Sequence, residues 1–237
     1  MALIGQRVLV VGGSRGIGLG ISKALNEAGA KVIIAARSAK RLSEAKDEIG
    51  DKVETVVLDV TDEAAVKVFF DDIGELDHVV TPAAVVNRTP FAQLTSAHAH
   101  QAFESKFWGQ FNISKHGARC IKSTGSLTLF AGISSQKGFA SLVLTSSING
   151  AIEALTRSLA LTLAPIRVNA ISPGFIATEA EEDMNGARRQ VLDDTARALP
   201  LKRVGTPKDI ARGVLFLMES SFSTGSTLVI DGGHLAM

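Results

Sequence analysis

A glycine-rich segment near the N-terminus has the arrangement of a phosphate-binding loop. The apolar run Val8–Val11 leads into glycines at positions 12, 16 and 18, and an amphipathic stretch follows. Glycines at such a turn let the backbone approach a pyrophosphate, whose charge the N-terminus of the next helix stabilises. We therefore predict a dinucleotide site at this loop, formed by Gly12, Ser14, Arg15, Gly16, Ile17 and Gly18.

The second apolar segment ends in Ala36-Arg37-Ser38 and lacks the carboxylate that would bind the ribose hydroxyls of NAD(H). Ala36 leaves space there, and Arg37 together with Arg15 could hold a 2′-phosphate. Each such charge-assisted hydrogen bond contributes about 1.5 to 3 kcal/mol. The alternative is that both arginines are solvated surface residues. The pattern favours NADP(H) as the cofactor, with Arg37 and Ser38 in its site.

The composition excludes several other kinds of chemistry. The chain contains no tyrosine and one cysteine, so a phenol acid, an internal disulfide and a cysteine-rich zinc site are excluded. No His, Cys and carboxylate grouping has metal-ligand spacing, and we expect no metal. The formal net charge of +1 argues against binding to nucleic acid. No apolar stretch approaches the roughly 18 residues of a membrane span, and we expect a cytoplasmic protein.

Short apolar runs alternate with longer amphipathic segments along the chain. The runs have the Val, Ile and Leu content of buried parallel strands, and they are Arg7–Val11, Lys31–Ala35, Val53–Leu58, His78–Thr81, Ser126–Ala131, Arg167–Ile171 and Thr227–Ile230. The helical segments are Ile17–Ala28, Ala39–Ile49, Glu63–Ile73, Ala97–Lys122, Ser146–Leu163 and Pro207–Met218. This alternation predicts a single-domain α/β Rossmann fold over residues 1–237, with a doubly wound parallel sheet of about seven strands. Residues 179–199 are polar and interrupt the alternation, as either a substrate lid or a solvated pair of surface helices.

The order of the motifs resembles the short-chain dehydrogenase/reductase family over essentially the whole chain. The resemblance rests on the glycine loop and on Asp59-Val60, Leu155–Ala160, Arg167–Ala170, Pro173-Gly174 with Thr178, and Asp231–Gly233. It implies that Asp59 and Val60 contact the adenine. It also implies that Pro173, Gly174, Ile176 and Thr178 lie at the nicotinamide and pyrophosphate end of the cofactor. A homo-oligomer, either a dimer or a tetramer built on the helices from Ala97 and Ser146, is a further implication.

The family's four catalytic side chains are replaced at the matching positions. The tyrosine and lysine positions hold Thr145 and Asn149, the serine position holds Gly132, and the helical asparagine position holds Lys106. A threonine hydroxyl is far less acidic than a phenol, and a strand-end or capping role for Thr145 is the alternative. Gly132 either widens the pocket beside the nicotinamide or forms a tight turn.

Lys106 is the candidate for an acid at a new position. It shares a helical face with small and apolar residues that should pack against the sheet. Desolvation there would lower the pKa of the ammonium toward a useful range. Alternatively, the aliphatic stem passes the core and the ammonium reaches water. Ser134, Ser135 and Lys137, in the loop after the fifth strand, could also donate hydrogen bonds to a substrate.

These residues predict an atypical NADPH-dependent oxidoreductase that acts on a small molecule, with Lys106, Thr145 and Asn149 as candidate catalytic residues. An activated carbonyl or a quinone would depend least on the missing acid. Two alternatives remain: a catalytically silent NADP(H)-binding sensor or partner subunit, and a nucleotide-binding protein without redox activity. Four apolar residues indicate a hydrophobic acceptor or belong to the core, namely Phe139, Leu142, Phe175 and Met184.

Overall fold

Seven parallel strands form one sheet in the order β3-β2-β1-β4-β5-β6-β7, within the residues that the computed structural model describes, 3–82, 89–178 and 186–237. The strands are β1 (Arg7–Val11), β2 (Lys31–Ala36), β3 (Glu54–Val57), β4 (Leu76–Val80), β5 (Ile121–Phe130), β6 (Arg167–Pro173) and β7 (Thr227–Ile230). The predicted fold class, a doubly wound parallel sheet of the Rossmann type, is confirmed.

Helices cover both faces of this sheet. They are α1 (Gly16–Glu27), α2 (Ala39–Ile49), α3 (Glu63–Asp72), α4 (Ser96–Phe103), α5 (Gly109–Gly117), α6 (Val143–Thr162), α7 (Gly186–Ala198) and α8 (Pro207–Glu219). Side chains of α1, α2 and α8 pack in one apolar cluster, and side chains of α3, α5 and α6 pack in the other. Val8 and Val10 of β1 face the first cluster while Leu9 and Val11 face the second, which explains why the strand is apolar throughout.

Side-chain caps fix where several helices begin. The hydroxyl of Ser38 accepts a hydrogen bond from the N–H of Arg41 at the start of α2, and Asp62 caps α3 in the same way. Thr206 caps α8 in a capping box with Asp209. A cap of this kind stabilises a helix by about 1 kcal/mol, so the cap at Ser38 also fixes the chain direction directly after β2.

The long helix predicted over Ala97–Lys122 is wrong in two respects. A π-helical turn, Glu104–Trp108, separates α4 from α5. A 3-10 turn, Ala118–Cys120, follows α5, and β5 begins at Ile121, so Lys122 belongs to the strand. The first residues of β5 after Ile121 are polar and exposed, so the hydrophobic pattern of the sequence does not indicate where this strand begins.

The topology places the ends of several strands around one crevice. The strand order reverses between β1 and β4, and ligands of such sheets bind outside the carboxyl ends of the strands at this point. Residues 179–185 of the predicted lid lie outside the described residues. The rest of the segment forms α7, which is largely exposed on its described part. The role of residues 179–199 as a lid stays a prediction. No helix of the described ranges is long and apolar enough to cross a bilayer. The expected oligomer also stays a prediction.

Candidate functional site

The glycine loop connects β1 to α1 at the crevice. Gly12 has a φ of 89°, a conformation that favours glycine, and a Cβ at Gly18 would collide with the carbonyl oxygen of Gly12. In the described part of the chain, α1 has no side-chain cap at Arg15 and no acidic residue in its first turn. The positive end of its helix dipole is therefore not neutralised by a described side chain at this end, which suits an anion.

Three arginines lie close enough for their charges to interact: Arg15 in the glycine loop, Arg37 directly after β2 and Arg41 on α2. Burial, followed by the charges of Arg41 and Arg37, lowers the pKa of Arg15. Arg15 and Arg37 were predicted as a pair, and Arg41 is an additional member that α2 carries. Because like charges repel, an anion bound between these arginines would stabilise the cluster, and guanidinium groups match a phosphate in charge and geometry.

The predicted adenine-binding residues lie beside these arginines. Leu58, directly before Asp59, donates its N–H to the carbonyl oxygen of Ala36 at 3.0 Å. The Asp59 carboxylate accepts hydrogen bonds from the N–H of Thr61 at 3.0 Å and from its Oγ1 at 2.8 Å. These bonds, with a smaller effect of Arg37, lower the pKa of Asp59.

Val60 is fixed by a hydrogen bond from a residue of α5. Its carbonyl oxygen accepts a hydrogen bond from Nδ2 of Asn112 on α5 at 3.0 Å. Asp59 and Val60 thus occupy a fixed segment between β2 and α5, on the side of the crevice where the arginines lie.

The segment after β6 closes toward the glycine loop. Ile176 forms a bridge with Gly205, and the N–H of Gly174 bonds the carbonyl oxygen of Ile230 at 2.9 Å. Thr178 lies against Gly16, because a Cβ at Gly16 would be 3.4 Å from Cγ2 of Thr178. The glycine loop, predicted to bind the pyrophosphate, and the segment predicted to lie at the nicotinamide and pyrophosphate end of the cofactor are therefore neighbours in space.

Lys106 lies in the π-helical turn with only 4% of its surface exposed. Its Nζ donates hydrogen bonds to the carbonyl oxygen of Ala131 at 3.0 Å and to Oδ1 of Asn149 at 2.6 Å. Burial lowers the pKa of Lys106 from its ordinary value of 10.5 to about 8. The expectation of a desolvated lysine is confirmed, and the alternative in which the ammonium reaches water is wrong.

Asn149 connects this lysine to the loop after β5. Its Nδ2 donates to Oγ of Ser134 at 2.9 Å. A Cβ at Gly132 would lie 2.7 Å from the same Nδ2, closer than real Cβ contacts allow. The glycine at position 132 therefore leaves the space that the amide of Asn149 occupies, a role that neither expectation for Gly132 included.

Gln110 was absent from the predicted site, although it fixes the turn that carries Lys106. Its Nε2 donates to the carbonyl oxygens of Lys106 and Phe130, both at 3.0 Å. Its Oε1 accepts from the N–H of Phe130 at 2.8 Å and from Oγ1 of Thr81 at 2.7 Å. The buried amide thus joins the π-helical turn to the ends of β4 and β5.

The other polar candidates lie in the first turn of α6 and in the loop after β5. Thr145 is buried in that first turn, four residues before Asn149 on the same face of the helix, and the N-cap position is occupied by Leu142, so Thr145 is neither at a strand end nor the N-cap. The hydroxyl of Ser135 has two acceptors within reach of its single proton, a carboxylate oxygen of Glu153 at 2.6 Å and the carbonyl oxygen of Gly132 at 2.9 Å. Lys137 donates to the carbonyl oxygens of His234 at 3.0 Å and Met237 at 3.2 Å, and so holds the C-terminus.

An aromatic cluster lies at the same edge of the sheet. Phe175, after β6, stacks on His234, after β7, with ring centroids 5.4 Å apart and planes at 16°. Phe139 meets the ring of His234 edge-on at 5.4 Å. Leu142 is buried in the core, and Met184 lies outside the described residues. Phe139 and Phe175 therefore form an apolar wall near the carboxyl ends of β5 and β6.

No group of three potential metal ligands occurs in the ranges 3–82, 89–178 and 186–237. The expectation that the protein binds no metal stays a prediction. The chemistry that the described site can offer consists of an anion cradle, a buried ammonium and a hydrogen-bonded amide and hydroxyl.

Known proteins resemble this chain over its whole length. A sequence model of the enoyl-(acyl carrier protein) reductase family matches residues 11–234. A solved structure of a short chain dehydrogenase/reductase family protein has a TM-score of 0.90 and 31% identity, and covers 100% of both chains. The chain belongs to the short-chain dehydrogenase/reductase family.

Two further relatives carry more specific descriptions. The L-xylulose reductase of Bos taurus is 33% identical over 247 residues, which cover 100% of this chain and 99% of that protein. The structure of a small-chain dehydrogenase in complex with NADPH has a TM-score of 0.86 and 37% identity, and covers 98% of this chain and 100% of that chain.

Proposed function

We propose that the protein is an NADP(H)-dependent oxidoreductase that reduces an activated carbonyl or a quinone, and that the ammonium of Lys106 acts as the acid. Its closest functional alternative is an NADP(H)-binding protein without catalysis. The observation that carries the proposal is the direct bond of 2.6 Å between Lys106 and Asn149.

The cofactor assignment rests on the anion cradle. The N-terminus of α1 lacks a side-chain cap in the described structure, and Arg15, Arg37 and Arg41 lie together beside it. No acidic residue occupies the end of β2, where NAD(H) sites place one. A relative of known structure is a complex with NADPH. These features favour a cofactor with a 2′-phosphate at this site.

The catalytic assignment rests on how three replacements fit each other. The position that resembles the family's catalytic lysine holds Asn149, and the position of its helical asparagine holds Lys106. These two side chains bond each other, so the amine and the amide have exchanged places within one site. Gly132 makes room for the amide. Independent losses of function would not be expected to produce three residues with complementary shape and hydrogen bonding.

Lys106 has the properties of an acid at neutral pH. Bound NADPH would supply the hydride for the carbonyl carbon. An ammonium has three N–H donors, and two of them are used on Ala131 and Asn149 within the described structure. The third can pass its proton to the acceptor oxygen as charge develops there. With a pKa of about 8, Lys106 is largely protonated at pH 7 and is a stronger acid than an ordinary lysine.

The test is NADPH oxidation with 9,10-phenanthrenequinone, 2,3-butanedione and simple ketones. Lys106→Met should lower kcat by about 10²- to 10⁴-fold, the usual contribution of a positioned acid, with little change in the Kd of NADPH. Lys115→Met is the matched control, at an exposed lysine on α5 that pairs with Glu63 on α3, and it should behave as the wild type. For the wild type, the rate of reduction should fall as the pH rises through about 8, because the acid form of Lys106 is lost.

The outcomes separate the candidate functions. Turnover that is retained in Lys106→Met contradicts the assignment of the acid but keeps the enzyme. Tight binding of NADPH without turnover of any acceptor contradicts the enzyme and favours the silent NADP(H)-binding protein. Equal affinity for NADPH and NADH contradicts the phosphate site.

A further inference from the structure

The hydrogen bonds around Asn149 can run in only one direction. The ammonium of Lys106 has donors and no acceptor, so the atom of the amide 2.6 Å from it must be the oxygen. The amide nitrogen then faces Ser134 and donates to its Oγ at 2.9 Å. The charge of Lys106 therefore fixes which way the side chain of Asn149 is oriented, and Ser134 must act as the acceptor in this bond.

Ser134 consequently retains its own proton for another partner. Its hydroxyl accepts from Asn149, and no acceptor for its O–H occurs among the residues that the structure describes. Ser134 is 93% buried, so its O–H is not simply solvated. A buried hydroxyl without an acceptor is costly, and it is expected where a ligand completes the bonding.

The three groups form a chain of aligned dipoles with a charge at one end. The Lys106 ammonium polarises the amide of Asn149, and the amide N–H polarises the hydroxyl of Ser134. Hydrogen bonds in such a chain strengthen one another, and they do so most in a site without water. The O–H of Ser134 is therefore a stronger donor than that of an isolated serine.

The position of Ser134 agrees with such a role. It follows β5 at the edge of the sheet where the crevice lies, and it shares the loop with Phe139 of the aromatic wall. Its neighbour Ser135 has its hydroxyl between Gly132 and Glu153 instead. The two adjacent serines thus differ in that only Ser134 contacts the group around Lys106.

We infer that the Ser134 hydroxyl donates a hydrogen bond to the carbonyl oxygen of the acceptor and polarises it for reduction, with Asn149 as the positioning residue that transmits the charge of Lys106. This inference rests on the proposed function. Ser134 keeps its proton throughout. The proton that reaches the product oxygen comes from Lys106, and the hydride that reaches the carbon comes from NADPH, so the acceptor gains two electrons and two hydrogens.

The experiment compares Ser134→Ala with Ser147→Ala, whose serine is exposed on α6 and donates to the carbonyl oxygen of Val143 at 3.0 Å. The acceptors are 9,10-phenanthrenequinone and 2,3-butanedione. Ser134→Ala should lower kcat by about 10²- to 10³-fold, as when a donor to a developing oxyanion is removed, with an unchanged Kd for NADPH. Ser134→Thr, which keeps a hydroxyl, should restore part of the rate.

A double variant tests whether the charge is transmitted. If Ser134 depends on Lys106, the combined loss in Lys106→Met/Ser134→Ala should be smaller than the product of the two single losses. A kcat for Ser134→Ala equal to that of Ser147→Ala overturns the inference and leaves the proposed function in place. A wild type that binds NADPH and reduces neither acceptor overturns the proposed function itself, and this result is seen before any serine variant is measured.

Discussion

Replacement of Lys106 by methionine should change how the stability of the protein depends on pH. The lysine is 4% exposed, and its burial holds its pKa at about 8 when the chain is folded. In the unfolded chain the same group should titrate near its ordinary value of 10.5. Methionine has a similar unbranched shape and no charge, so the substitution removes this titration while it fills much of the same volume.

The sign and size of the effect follow from linkage. Below pH 8 the amine is charged in both states, and the full cost of burying the charge opposes folding. Above pH 10.5 it is neutral in both states, and that cost is absent. Between these values the unfolded chain binds more protons, so the free energy of unfolding rises with pH. The two pKa values differ by about 2.5, which corresponds to about 3 kcal/mol, of which about 2 kcal/mol develops by pH 9.5.

Urea unfolding at about pH 7 and about pH 9.5, followed by circular dichroism, measures this effect. The wild type should gain about 2 kcal/mol relative to Lys106→Met between the two conditions. The difference between the two proteins matters, because other groups that titrate in this range are common to both. Lys115→Met serves as the control for the loss of one positive charge. If the difference between the wild type and Lys106→Met stays the same at both pH values, the reasoning about a lowered pKa is refuted.

Three further predictions concern the cofactor and the space around Asn149. Arg37→Asp should weaken NADPH binding by about 10- to 100-fold and leave NADH binding similar or stronger, measured by calorimetric titration; unchanged selectivity would contradict a phosphate site. Gly132→Ser should displace the amide of Asn149, lower the free energy of unfolding by about 1 to 3 kcal/mol and reduce kcat, and a variant as stable and active as the wild type would contradict the packing argument. Trp108, the only tryptophan, lies in the same π-helical turn as Lys106, so NADPH should quench or accept its emission, and a flat titration would count against the placement of this turn near the cofactor.

The fold was predictable because the signals for it are local. Strands such as β1 are apolar on both faces because helices cover both, and the amphipathic helices between them have a clear period. The errors arose where local pattern and structure diverge. The polar residues at the start of β5 project into solvent and resemble the end of a helix, and a π-helical turn at Glu104–Trp108 has no hydrophobic signature of its own.

The candidate site was predictable only in part for a related reason. The glycine loop and Arg37 can be identified from the sequence by residue type and by their distance from a strand end. The bond between Lys106 and Asn149 joins residues 43 positions apart, and the role of Gly132 depends on an amide from another helix. Gln110 acts through its side-chain amide, which bonds the backbone of Lys106 and Phe130 and the hydroxyl of Thr81, and no spacing in the sequence indicates these contacts. Such contacts follow from tertiary packing and need the structure.

The cost of Lys106 bears on the choice between an enzyme and a silent protein. At neutral pH a buried ammonium opposes folding by about 3 kcal/mol, a large share of the 5 to 15 kcal/mol that stabilises a typical domain. This value is the net cost of the charged form with its two hydrogen bonds in place, and an apolar side chain would avoid most of it. Binding NADP(H) requires the glycine loop and the arginines but has no need of a charge at position 106. A protein that retains such a charge beside a matched amide and hydroxyl gains from it in a step that nucleotide binding alone does not include, and proton transfer to a reduced acceptor is such a step.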